Sequence, residues 1–156
     1  MLGGAGGELL SDEDVSRQYE VELSNFTLHL STEIQLQPQI TFLYRNKHYH
    51  LKPNQSNSQK NSFEYNHSIK ISTTIPGQKD ESSVIKAYIV GQNNMVPLGV
   101  VYVDIAEAIE NCEDLQSLQS TIHEFSVLSL AKEQIGTFEM IITCLLYTSD
   151  AADEHG

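Results

Sequence analysis

From Tyr19 the apolar residues of several segments recur at every second position, and no long stretch recurs at helical spacing. Tyr19, Val21 and Leu23 alternate with polar residues; Phe26, Leu28 and Leu30 then alternate on the opposite parity. A period of two places side chains on opposite faces of a strand, so each run can bury only one face. The change of parity at Ser24-Asn25 predicts a β-bulge, the one extra residue that lets a strand keep the same face inward.

The same signal repeats along the chain. Pro38 opens a strand with Ile40, Phe42 and Tyr44 on one face; it turns around Arg45 to Lys47 and returns through Tyr49 and Leu51. Lys52 to Ser62 has almost nothing apolar to bury and predicts an exposed loop. Phe63, Tyr65, Ile69 and Ile71 mark another strand, ending before Pro76-Gly77. Val84 to Val90 is rich in β-branched residues and predicts a central strand, with a turn at Gly91 to Asn94 and a return through Leu98 to Ile105. Ala106 to Glu110 can supply a short helical turn, and His123 to Leu130 and Thr137 to Thr143 supply the last two strands. Seven or eight short strands between turn signals predict an all-β fold, an antiparallel sandwich or barrel.

Two ends of the chain are set apart from that core. Residues 1–18 combine a Gly-rich start with Ser11-Asp12-Glu13-Asp14 and read as a flexible acidic lead-in. Cys144-Leu145-Leu146-Tyr147-Thr148-Ser149-Asp150-Ala151-Ala152-Asp153-Glu154 resembles one translated reading frame of a sequencing-library adapter. Residues 144–156 are therefore expected to be a non-native tail, leaving 19–143 as the domain and a natural sequence that continues past Thr143. Without Asp150, Asp153 and Glu154 the 21 acids become 18 against 9 Lys plus Arg, so the net charge is −9 rather than −12. An acidic field of this size repels nucleic acid and favours protein partners.

With Cys144 assigned to the tail, Cys112 is left alone, which excludes an intramolecular disulfide and a cysteine-based zinc site. No apolar run is long enough for a membrane span, and the first residues lack the pattern of a signal peptide, so an intracellular, cytoplasmic location is expected. The sequons at Asn25, Asn54 and Asn66 then carry no meaning, since glycosylation requires a secreted chain.

The order of segments over Tyr19 to Thr143 resembles a C2 domain. The segments that carry the likeness are Tyr19 to Leu30, Gln37-Pro38-Gln39-Ile40-Thr41-Phe42, Val96-Pro97-Leu98-Gly99-Val100-Val101-Tyr102-Val103, Glu124 to Leu128 and Ile135 to Ile142. The resemblance implies an eight-stranded Greek-key sandwich, with one last strand expected after Ile142 and an open sheet edge where the tail replaces it. Val96-Pro97-Leu98-Gly99 and Phe138 to Ile142 are similar to C2 domains of centriole and cilium assembly proteins, implying a scaffold role there.

Calcium-binding members of that family place several aspartates in the first and third loops, because the ion wants six to eight oxygen ligands. Here Ser31 to Gln37 offers only Glu33, Gln37 stands where an aspartate would be, and Val90 to Val96 holds no acid. Calcium is therefore not expected as a cofactor, and none other is implied. Arg45, Lys47, His48, His50 and Lys52 form the one local basic cluster and the candidate site for anionic lipid or a protein partner, although basic residues on an edge hairpin also block strand pairing. Alternation puts Arg45 and Lys47 on one face and His48, His50 and Lys52 on the other. His48 and His50 lack a visible third metal ligand, and neither His123-Glu124 nor His67-Ser68 comes with a nucleophile turn or an orienting acid, so no enzyme is expected. Cys112, beside Glu110, Glu113 and Asp114, has its thiolate disfavoured by neighbouring negative charge.

Overall fold

The computed structural model describes residues 17–54, 58–75, 81–92, 96–108 and 119–147. Its strands are β1 (Arg17–Ile34), β2 (Gln39–Tyr44), β3 (Lys47–Leu51), β4 (Lys60–Tyr65), β5 (Ile69–Ile75), β6 (Val84–Val90), β7 (Gly99–Asp104), β8 (Gln119–Leu128) and β9 (Gln134–Tyr147). One helical turn, α1 (Ile105–Ala108), follows β7. The acidic lead-in through Ser16, the turn at Asn93-Asn94, Cys112 and the tail beyond Tyr147 lie outside the described residues.

All strand pairs are antiparallel, in the order β3-β2-β6-β7-β8-β9-β1-β4, with β5 also on β1. β7 and β8 share only the pair Val100↔Leu128, so the ladder parts there into two sheets of four strand positions each. Gly99 stands beside this junction. A Cβ on it would come within 2.9 Å of both the Leu128 carbonyl oxygen and Val127 Cγ1, which gives the Leu98-Gly99 motif a packing reason.

The bulge lies where parity predicts it. Between Thr27↔Glu139 and Ser24↔Ile141, β1 uses one residue more than β9, and Asn25 takes a positive φ of 53°. The extra residue keeps Val21, Leu23, Phe26 and Leu28 all inward. It also divides β1 between two neighbours: Phe26 to Ile34 pairs with β4, and Arg17 to Leu23 pairs with β5. The single strand expected across Phe63 to Ile71 is thus two strands end to end, and Lys60 to Ser62, expected in a loop, opens the first.

β9 is not at a border. It lies between β8 and β1 and continues past Thr143, with Cys144↔Val21 and Tyr147↔Gln18 in register. Residues 144–147, expected in the tail, thus extend that strand. Cys144 is buried and in a disulfide, which corrects the expectation that none could form; that expectation rested on setting the tail aside.

The core is the interface between the sheets. Phe42 from one sheet meets Phe26 and Phe138 from the other, with ring centroids 5.5 and 6.2 Å away, and Phe26 and Phe138 lie 5.7 Å apart. All three are buried, each worth about 1.5–3 kcal/mol of transfer free energy.

Candidate functional site

The first and third loops meet at one end of the sandwich, and Gln37 holds that end together. Its side chain is 5% exposed. Nε2 donates to the Glu64 carbonyl at 3.0 Å, Oε1 accepts from the Asn54 amide at 3.1 Å, and the Gln37 carbonyl accepts from Gln92 Nε2 at 2.9 Å. Beside it, the buried Tyr65 hydroxyl donates to the Pro38 carbonyl at 2.6 Å. Burial pushes the Tyr65 hydroxyl pKa well up, and the nearby Gln37 side chain offsets part of that rise. A neutral amide both donates and accepts here; a carboxylate would face the Glu64 carbonyl with no proton to offer. Glu33, the one acid of the first loop, is exposed near the end of β1. Among the described residues no three His, Cys, Asp or Glu side chains come together as a metal site.

The basic hairpin lies toward the other end. Its turn residues are Arg45 and Asn46, since Tyr44 pairs with Lys47, and Arg45 has a positive φ of 57°. The guanidinium is already engaged: Nε donates to the Ser82 carbonyl at 3.0 Å, another nitrogen donates to the Thr74 carbonyl at 2.8 Å, and the group lies 4.8 Å from the Tyr44 ring centre. Arg45 therefore ties the hairpin to β5 and to the turn before β6. Shallow clefts of about 250 Å³ flank it, one against Gln18, Ser72 and Thr74, the other against Leu43, Glu81 and Lys86.

The remaining members of the cluster divide as alternation predicts. Lys47 shares the inward parity of Tyr44 and stays exposed. His48 and His50 lie on the outer face, with nearly parallel rings 6.5 Å apart, and Lys52 follows on the same parity. His50 Nδ1 is 3.1 Å from Thr41 Oγ1, within a network that includes Gln39. Pairing adds a cation that sequence distance conceals: His48↔Leu43↔Lys86↔Tyr102 form one row across four strands. The outer face is thus His48, His50, Lys52 and Lys86 beside the half-exposed Tyr102. Arg45 and Lys47 are not part of it.

His123 and Glu124, adjacent in sequence, fall on opposite faces of β8. His123 contacts Thr121 Oγ1 through Nε2 at 2.6 Å and stacks on Phe125, with centroids 6.0 Å apart. Burial lowers the His123 pKa. No helix among the described residues is long and apolar enough to cross a membrane.

Two antiparallel sheets, with the bulged β1 paired to β9, define the architecture, and its overall fold matches known structures. A solved C2 domain-containing protein aligns with a TM-score of 0.56 at 12% identity, over 86% of this chain and 92% of its own. The fold is that of a C2 domain. A second solved C2 domain aligns with a TM-score of 0.52 at 9% identity, over 83% of this chain and 99% of its own. No protein-family profile and no curated protein matches the sequence.

Proposed function

We propose that this C2 module binds protein, without catalysis and without calcium, as part of a larger intracellular scaffold. The observation that carries the reading is Gln37, which supports calcium independence: the loop end is closed by hydrogen bonds from a buried neutral amide where a metal site would need carboxylates. A scaffold at the centriole or ciliary base is the cellular setting that the Val96-Pro97-Leu98-Gly99 segment suggests, and imaging the tagged full-length protein tests it. The deciding experiment is cosedimentation of the chain with phosphoinositide-containing and with neutral vesicles, with and without calcium. Binding to neither vesicle supports the protein-interaction reading; calcium-dependent binding would sink it.

The second reading is peripheral membrane attachment, favoured by Lys86 joining His48, His50 and Lys52 on one face. Each charge near an anionic surface contributes about 1 kcal/mol. Lys52→Ala with Lys86→Ala should then reduce binding to phosphoinositide vesicles. Arg45→Ala is a poor probe of this reading, because it also unties the hairpin.

A further inference from the structure

Two of the sheet borders carry features that stop another chain from pairing there. β3 is only five residues long and exposes Lys47, His48 and His50. The border made by β4 and β5 is interrupted at Asn66 to Ser68, opposite the bulge, and exposes Lys60, Glu64 and Lys70. β8 is different: it runs ten residues, with no proline or lysine and a single carboxylate, Glu124. β9 pairs along one side of it, while β7 meets the other side only at Val100↔Leu128. Among the described residues, Gln119 to Val127 therefore present a strand edge without a ladder partner.

The side chains beside that edge specify what fits it. On the outer face Ile122 is 69% exposed, next to Ile141 of β9. Glu124 lies directly across from Glu139, and the row continues through Thr27 to Glu64 without a cation. Like charges directly opposite each other destabilise a sheet, and a basic residue on the vacant side would relieve them. On the inner face His123 and Phe125 are only half-buried, leaving apolar surface for a neighbour to cover. A second copy of this chain is a poor match in charge, since each copy brings a net charge of −12 to an edge that already carries Glu124 beside Glu139.

We infer that an extended segment of a basic partner protein adds to β8 as a further strand, with a Lys or Arg facing Glu124 and an apolar residue two positions away facing Ile122. This deepens the protein-interaction reading and rests on it. Main-chain hydrogen bonds give such an added strand its affinity, and the alternate side chains give it specificity.

The test is a titration of the full chain with a capped synthetic Thr-Lys-Thr-Val-Thr peptide, followed by amide chemical shifts. Shifts should move at Ser120 to Ser126 and not at Lys47 to Leu51. Glu124→Lys, an exposed change that also relieves the Glu139 repulsion, should weaken binding about tenfold. The same variant should bind a peptide carrying Glu in place of Lys, and Ile122→Lys should block both. Absence of shifts along β8, or binding indifferent to the charge swap, overturns the inference. Shifts that map elsewhere overturn the edge but leave a protein-binding module standing, whereas the vesicle experiment decides that broader reading by itself.

Discussion

Gln37 and Arg45 do the same job at two different places. Each is a single side chain from beside β2 that uses its donors to hold segments far away in sequence, Gln37 on Glu64 and Arg45 on Thr74 and Ser82. Gln37 is buried and uncharged; Arg45 is exposed and charged. The difference teaches that burial, more than charge, sets the cost of losing such a link. A buried group left without its partner keeps its full desolvation penalty, whereas an exposed one turns to water.

The harshest way to break the comparison is Gln37→Asp, which removes the donor to Glu64 and introduces a carboxylate in a buried site. It should cost about 3 kcal/mol in urea unfolding without calcium. Recovery of that loss in millimolar calcium would mean that the loops still hold a latent cation site, against calcium independence. Gln37→Ala, with no new charge, should cost about 2 kcal/mol.

Tyr65→Phe should cost about 1 kcal/mol and change the alkaline limb of stability. The folded chain holds the Tyr65 proton above its ordinary value of 10.0, so the contribution is present below pH 10 and lost as pH rises beyond it. The variant should unfold less steeply above that pH. Arg45→Ala should cost about 0.5–1 kcal/mol, nearly independent of salt because both acceptors are uncharged carbonyls. A loss equal to that of Gln37→Ala would break the claim that burial decides.

The smallest effect belongs to His123. Its folded pKa lies below the ordinary 6.5, so the unfolded chain binds the proton more readily. Stability is retained above pH 6.5 and declines as pH falls from there through the folded value; His123→Gln should flatten that decline in thermal melts.

Much of this architecture is legible in the sequence because strand parity is local. The bulge at Asn25 follows from the switch between Leu23 and Phe26, and the β2–β3 hairpin from Tyr44 and Tyr49 on either side of a polar turn. Parity also separates Lys47 from His48 and His50. Lys60 to Ser62 was not legible as strand, because its pairing is dictated by β1 rather than by its own polar residues. The candidate site was legible only in part, since its decisive contacts are remote in sequence. Arg45 reaches carbonyls 29 and 37 residues away, and Lys86 joins the histidine face only through two ladders. The exposed edge of β8 depends on where β7 and β8 part, which Gly99 marks but does not announce.

β1 finds its main partner in β9, more than a hundred residues later, from Leu30↔Gly136 to Gln18↔Tyr147. During synthesis this has a plain outcome. The ribosome releases Val21, Leu23, Phe26 and Leu28 more than a hundred residues before the strand that flanks them. Contacts this distant close slowly, and exposed apolar strands aggregate while they wait. A translation stall before Gln134 would therefore leave β1 without that neighbour.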